Sequence, residues 1–439
     1  MPETSSSPAQ TRSSRLRELW TYFGPAFVAS VAYIDPGNFG ANIVGGAQYG
    51  YTLLWVLLWS NLIAILVQYL SAKLGIATGQ SLPANCRTHF SRPVVLLLWV
   101  AAEISAIATD LAEFLGAALG AYLLFGPLLL AHGMSRTAVM LVAALLTTIA
   151  VFVLLALNQR GFRHFEGVII GFVCVIGLCY GVEIFLVHPD WHLTLHDTLV
   201  PHLQRSTVYL AVTMLGATVM PHVIYLHSAL MQPRMQAFVE RGVSASPKRL
   251  SSFRHRYLRF ETIDILVAMN GAWFINSAML MLSAAAFLHR PGLNPDTILE
   301  DAHATLGPLL GQFAALAFAV ALLCSGLSSS TIGVLAGQVI IEGFLHVKFP
   351  IFLRRLITVI PAIVVIALGL SPVKILLLSQ AVLSFGIAFA LVPLLLLTNR
   401  SDVMHEFVNR RITSISGWSV AALIIALNVV LLWQTITDA

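Results

Sequence analysis

Two apolar runs of this chain are each interrupted near the middle by proline and polar residues, and the interruptions fall in comparable places in its two halves. The first is Ala32-Tyr33-Ile34-Asp35-Pro36-Gly37-Asn38, inside a run over 22–45 that is otherwise apolar or small. The second is Gly216-Ala217-Thr218-Val219-Met220-Pro221-His222, inside the run 208–230. In a bilayer every backbone group must find its partner within the protein. A mid-span proline beside a carboxylate is therefore tolerated only where the freed backbone lines an enclosed cavity. Paired interruptions of this kind point to the substrate site of a transporter built from two repeats. The side chains brought to them are a carboxylate, a carboxamide, a thioether and an imidazole, the donors of a metal site.

Composition sets the frame. Only 10% of the 439 residues are charged and 58% are hydrophobic, with mean hydropathy +0.84, against about 25% charged in soluble domains. The chain reads as an all-α polytopic membrane protein with eleven spans, at roughly 22–46, 51–72, 94–124, 138–157, 166–187, 207–231, 262–288, 309–341, 352–370, 373–398 and 416–435. Residues 51–70 and 138–157 are free of charge and long enough to cross a hydrocarbon core of about 30 Å. With the N-terminus in the cytoplasm, 21 of the 25 Lys and Arg residues fall on inside segments. This satisfies the positive-inside rule, and an odd span count puts the C-terminus outside. Net charge +5 therefore reflects topology, with no nucleic-acid partner implied.

The four cysteines (Cys86, Cys174, Cys179, Cys324) are scattered and form neither a disulfide framework nor a zinc pattern. Residues 1–18 are expected to be a disordered cytoplasmic tail, and no cleavable signal is present. The first repeat, spans one to five, and span six occupy 19–231. A basic cytoplasmic loop follows at 232–261, and its stretch 233–259 is the natural hinge between two halves. Spans seven to ten fill 262–400, and a loop with span eleven fills 401–439. Pro36 and Pro221 are 185 residues apart, which suggests spans one to five and six to ten as repeats. Five is odd, so the second must be inverted, with span eleven outside the repeat.

Pro36 lacks an N–H, and Gly37 reaches conformations closed to other residues. The helix is expected to end near Asp35 and restart after Gly37. Carbonyls around Ala32 then lose their helical partners and can turn toward a cation, with the oxygens of Asp35 and Asn38 projecting into the gap. Pro221 acts likewise on span six, exposing the Ala217 carbonyl and presenting the Met220 sulfur. Oxygen ligands alone would suit Mg²⁺, Ca²⁺ or Mn²⁺. A thioether adds nothing for the hard ions but tolerates Mn²⁺, Fe²⁺, Co²⁺ or Cd²⁺. Met in a span is ordinarily filler, whereas a mid-span carboxylate is functional by default.

Glu103, Asp110 and Glu113 sit at offsets of seven and three, on one face of span three, with Thr109 close by. Such a stripe is interior, either pairing structurally with other spans or relaying protons. Burial and a nearby cation act on a carboxylate in opposite directions, so neighbours along the stripe can pass a proton near neutral pH. Arg354 and Arg355 are candidate partners, or ordinary positive-inside residues. His222, beside the second break, reads as a proton-coupling group in preference to a ligand. His227 is a relay end or core packing. Glu183 and Glu342 are expected to be solvated or snorkelling near span ends. Gly326 with Ser325, Ser328, Ser329 and Ser330 suits close helix contact, with no ligand role.

Asp35-Pro36-Gly37-Asn38 and Met220-Pro221-His222, with Ala108-Thr109-Asp110-Leu111-Ala112-Glu113-Phe114 and Ser379-Gln380-Ala381-Val382-Leu383-Ser384-Phe385-Gly386, resemble the signatures of the natural resistance-associated macrophage protein (Nramp) family. The likeness is greatest to its bacterial, MntH-type proton-coupled manganese transporters. It runs from about Gly24 to the last span, with Ala388 standing where relatives usually carry proline. The resemblance implies a LeuT-type inverted-repeat fold with helices one and six unwound around a single Mn²⁺/Fe²⁺ site. By that pattern Asp35, Asn38 and Met220 are direct ligands. The carbonyls of Ala32 and Ala217 contribute in some conformations and Gln380 in others, while Arg354 and Arg355 pair with Asp110 and Glu113. It further implies a monomer in the bacterial inner membrane, with no prosthetic group and with metal ions and H⁺ as transported substrates. The expected activity is proton-coupled import of Mn²⁺, Fe²⁺ and also Cd²⁺ or Co²⁺ by alternating access. Rival readings are a sodium-coupled amino-acid transporter of the same fold, disfavoured because Asp35 repels a substrate carboxylate, and an uncoupled metal pore. A membrane metallohydrolase lacks its HExxH motif.

Overall fold

The computed structural model describes residues 24–159, 162–240, 247–288, 290 and 293–437. The expected tail, 1–18, lies outside the described residues. The rest is built of helices that follow the eleven expected spans. Span one is in two pieces, Pro25–Val31 continued by a 3-10 turn Ala32–Ile34, then Pro36–Tyr49. Spans two to five are Leu54–Thr78, Arg92–Ala131, Arg136–Gln159 and Phe162–Val187. Span six is again in two pieces, Val208–Thr218 and Pro221–Leu230. Spans seven to eleven are Pro247–Phe287, Gln312–Leu345, Ile351–Ala367, Pro372–Thr398 and Arg411–Thr437.

Several starts are written in the sequence. Proline occupies the first or second position of the helices beginning at Pro25, Pro36, Arg92, Pro221 and Pro372. There its missing N–H costs nothing and its fixed φ suits the helix. The segment expected as a loop at 232–261 differs. Gln232–Glu240 is helical, and span seven begins at Pro247, fifteen residues before the expected 262. Polar and basic side chains are good helix formers once a turn is nucleated, so hydropathy marked where the apolar stretch begins, and the helix starts earlier. The stretch 247–259 is thus helical and belongs to span seven.

Span three lies along span eight, the most extensive helix pair among the described residues, and span ten packs on spans three and six. Span seven covers spans one and two. Gly326 lets spans three and eight approach closely: a Cβ there would sit 2.5 Å from the Ala117 backbone. The broken spans are thereby enclosed. The apolar window of Arg205–Glu240 is 94% buried, against 28% for that of span eleven, so span six is central and span eleven peripheral. Leu145, Val153 and Phe185 are exposed on the outside of spans four and five, an apolar surface suited to lipid.

Candidate metal centre

Asp35 stands between the 3-10 turn and the second piece of span one in an extended conformation, φ −76° and ψ 167°. Its Oδ1 accepts the Asn38 backbone N–H at 2.8 Å and Asn38 Nδ2 at 2.7 Å. This is N-cap geometry, which a carboxylate at a helix start favours. The helix therefore restarts at Pro36, two residues before the sequence expectation, because the Asp-Pro pair supplies a cap and a first helical residue together. Oδ2 is left to the opposite side, where Gln380 Nε2 of span ten donates at 3.1 Å.

Span six breaks in the same manner. After Thr218 the backbone turns out of the helix at Val219 (ψ 74°) and Met220 (φ −76°, ψ 127°), and Pro221 restarts it. Asn38 Nδ2 crosses to the Ala217 carbonyl at 3.0 Å, so one carboxamide joins both breaks. Two glycines clear the ground. A Cβ at Gly37 would lie 1.7 Å from Gln380 Nε2, and one at Gly216 would lie 2.2 Å from the Gln380 carbonyl oxygen. Gln380 thus rests on both broken spans. Asp35, Asn38, Met220, Ala217, Ala32 and Gln380 are all fully buried.

The carbonyls freed by the first break have protein partners as well. Asn276 Nδ2 of span seven donates to the Tyr33 carbonyl at 2.5 Å, and Ser325 Oγ of span eight to that of Ile34 at 2.5 Å. Asn276 was not singled out from the sequence, and Ser325 was credited only with helix contact. Polar side chains within an apolar span, Asn276 with Ser277 and Ser325 at the head of a serine cluster, are the available signal. What stays unsatisfied is telling: Asn38 Oδ1 and Gln380 Oε1 are buried with no hydrogen-bond partner. Orphaned buried acceptors are costly and rare. Two of them beside a carboxylate form an oxygen set that a cation would satisfy. Among the described residues no three His, Cys, Asp or Glu side chains converge into a cation cage. The set is one carboxylate with neutral oxygens and a thioether nearby, unlike a zinc-hydrolase site.

On span three, Asp110 and Glu113 are fully buried and lack well-formed hydrogen bonds. Both press on span eight at Gly333, where a Cβ would meet Glu113 Oε2 at 2.3 Å and Asp110 Oδ1 at 2.7 Å. The arginines do not both pair with them as expected. Arg354 Nη1 binds Glu103 Oε1 at 2.7 Å, because Arg354 lies over Gly337, one turn along span eight from Gly333 and level with the start of the carboxylate stripe. Arg355 is fully buried, its guanidinium 5.1 Å from the centre of the Phe114 ring and without a hydrogen bond. The stripe and the second break touch through Thr109 Oγ1 and His222 Nδ1, 3.2 Å apart.

His227 bridges Gln68 Oε1 at 2.7 Å and Glu261 Oε1 at 2.9 Å, and Gln68 Nε2 reaches the Tyr33 hydroxyl at 2.6 Å. Asp264 accepts the backbone N–H groups of Gly24 and Ala26 at 3.1 and 3.0 Å. A polar chain therefore ties spans two, six and seven to span one. Gln68, Glu261 and Asp264 were not identified from sequence. Glu183, expected to be solvated, is fully buried with both oxygens unpartnered, because span five continues past it to Val187 and its face turns inward. Glu342 is exposed.

Comparison with known proteins places this geometry in context. A family model described as natural resistance-associated macrophage protein-like matches residues 26–434. The chain is 47% identical over 422 residues to a divalent metal cation transporter MntH of Caldanaerobacter subterraneus, covering 96% of this chain and 94% of the relative. It is 45% identical over 420 residues to the protein of that name from Bacillus subtilis, covering 95% and 93%. Among solved structures, a manganese transporter of Eremococcus coleocola in complex with an aromatic bis-isothiourea compound matches with TM-score 0.81 at 30% identity, covering 98% of this chain and 87% of that one. A nucleobase-cation-symport-1 transporter, Mhp1, matches at TM-score 0.55 and 12% identity, covering 95% and 93%. That last likeness is one of fold, the LeuT-type arrangement of two five-helix repeats.

Proposed function

This chain belongs to the natural resistance-associated macrophage protein family, and from that premise we propose that it imports divalent transition metals, Mn²⁺ and Fe²⁺ foremost, in symport with protons. It is an integral membrane transporter and not an enzyme, and the metal is its substrate. The observation that carries the reading is the meeting of both broken spans and span ten on one carboxylate. Asp35 is held by Asn38 and Gln380, Asn38 by Ala217, and two orphaned amide oxygens remain for a cation. Spans one and six unwind there, so rocking the repeats exposes the site to each side in turn.

Proton coupling is supported by the contact of His222 with Thr109 on the span that carries Asp110 and Glu113. A buried carboxylate that no well-formed hydrogen bond satisfies is costly in its charged form, which favours a group that gives and takes a proton during the cycle. The Lys and Arg distribution supports a cytoplasmic N-terminus and an outside C-terminus, the bacterial relatives support a bacterial inner membrane, and a monomer, with its whole candidate site within one chain, is the proposed working unit. The test is Mn²⁺ uptake into proteoliposomes with internal pH recorded together. Metal entry with internal acidification that depends on the imposed proton gradient is expected. Mn²⁺-insensitive amino-acid uptake, or metal flux without proton movement, would replace this reading with one of its rivals.

A further inference from the structure

Four of the fourteen histidines lie within fifteen residues, at His188, His192, His196 and His202, between spans five and six. All four are exposed. The segment carrying them is fastened to the end of span one, which holds part of the site, and to the start of span two. Tyr49 Oη at the end of span one donates to the Ser206 carbonyl at 2.9 Å, and Trp55 Nε1 of span two donates to that of His202 at 3.3 Å. Asp190 accepts the N–H groups of His192 and Leu193 and so starts the helix Trp191–Leu199. Span six begins directly after.

The imidazoles are prepared in a specific way. His196 Nδ1 meets Asp197 Oδ1 at 2.8 Å, His202 Nδ1 meets the Val200 carbonyl at 3.2 Å, and His188 Nδ1 meets that of Leu186 at 3.0 Å. Each acceptor is an oxygen, so each Nδ1 is the donor, and the lone pair is left on Nε2. A metal-binding histidine is oriented by the same device, donating its other N–H to a carboxylate or backbone carbonyl. The rings of His196 and His202 have centroids 6.1 Å apart, and His192 stands one helical turn before His196, the spacing that lets two histidines share one ion.

We propose that His192, His196 and His202 form a low-affinity divalent-cation capture site at the outer mouth, which loads the path to Asp35. The proposal rests on the metal-transport reading and orientation given above. Among the described residues no three such side chains converge as they stand, so each ion is held by His196 with one of its two neighbours, His192 or His202, and completed by water. It binds weakly and exchanges fast, as a loading site must. Nitrogen ligands follow the Irving–Williams order, which makes Co²⁺ a tighter occupant than Mn²⁺.

The experiment uses the full chain in lipid nanodiscs, with Co²⁺ as probe, by equilibrium dialysis. Asp35→Asn is expected to lose the tight site and keep a weaker one, and adding His192→Gln, His196→Gln and His202→Gln is expected to remove it. With Asp35 intact, the triple histidine variant should raise KM for Co²⁺ uptake at least about threefold at unchanged maximal rate, since a pre-binding step acts on substrate capture. A smaller rise is expected for Mn²⁺. Residual Co²⁺ binding that survives the histidine changes, or an unchanged KM, overturns the proposal. Equal tight binding by wild type and Asp35→Asn would instead overturn the central-site assignment.

Discussion

Asn38 Nδ2 lies within hydrogen-bond reach of both Asp35 Oδ1, at 2.7 Å, and the carbonyl of Ala217, at 3.0 Å. The two residues at either end of this link, one from each repeat, are candidate metal ligands, and the link uses the donor half of the carboxamide. Its acceptor half, Oδ1, is left without a partner. Asn38 is therefore a clamp and a donor oxygen at once, and the breaks in spans one and six cannot separate without loosening it.

Asn38→Ala removes both functions. The Ala217 carbonyl loses its partner, at a cost of about 1–3 kcal/mol for a buried acceptor, and one oxygen leaves the ligand set. Mn²⁺ affinity should fall by about 10-fold or more, and Asn38→Ser should recover little because its side chain is too short to cross to span six. Calorimetric Mn²⁺ titration of the two variants checks this. An affinity within twofold of wild type would exclude Asn38 from the site.

Asp35→Asn keeps shape and deletes the one charge at the breaks. With the oxygen of the new amide kept toward Asn38, its NH2 can meet Gln380 once that carboxamide turns its unpartnered Oε1 inward, so folding should be preserved. Metal binding should fall at least about 100-fold, the upper end of what outer-shell changes alone produce. Normal uptake with normal expression would undo the assignment.

Met220 stands at the restart of span six, fully buried. Its thioether is the soft element in an otherwise oxygen set, so Met220→Ala should weaken Cd²⁺ transport more than Mn²⁺ and relax discrimination against Ca²⁺ and Mg²⁺. Competition assays with the four ions read this directly. A selectivity series identical to wild type would leave Met220 as packing alone.

Both breaks were legible because proline mid-span is a strong, local and rare signal. Asp35 and Met220 could be picked out because each adjoins one. The residues that complete the site were not, because their meaning is a distance. Asn276 and Ser325 reach the carbonyls of Tyr33 and Ile34 from 243 and 291 positions away, and no window along the chain contains both partners. The same limit produced the wrong partners for Arg354. Sequence showed three carboxylates on one face and two adjacent arginines, but which pair forms depends on the groove at Gly337. Glu183 differs for another reason: nearness to a span end predicts exposure, while the side chain faces inward and is buried.

Glu103 and Arg354 make an ion pair at 2.7 Å with Arg354 only 3% exposed. Glu103→Gln leaves the guanidinium without its anion and should destabilise the protein by about 1.5–3 kcal/mol, the range for a hydrogen bond to a charged group. Glu103→Gln with Arg354→Gln should be less harmful than the two single effects added, since neither then strands a charge. Thermal melting in detergent of the four proteins tests the coupling. Strict additivity would dissolve the pair.

Asp110 and Glu113 belong to a different span from either break, and their carboxylates press on Gly333 of span eight, with Glu113 within electrostatic reach of Asp35 but making no hydrogen bond to it. Asp110→Asn and Glu113→Gln should therefore keep Mn²⁺ affinity within about threefold of wild type while reducing proton entry and flattening the dependence of uptake on the imposed gradient. His222→Gln should act similarly but more mildly, because it reaches the stripe only through Thr109. Gly333→Ala supplies an independent arm. It adds a methyl group where both carboxylates lie and should disturb proton flux without touching a candidate metal ligand. Parallel measurement of Mn²⁺ binding, Mn²⁺ uptake and internal pH separates the effects. If the neutralised variants lose equilibrium metal binding yet carry protons normally in whatever transport remains, the stripe belongs to the metal site and the proton takes another route.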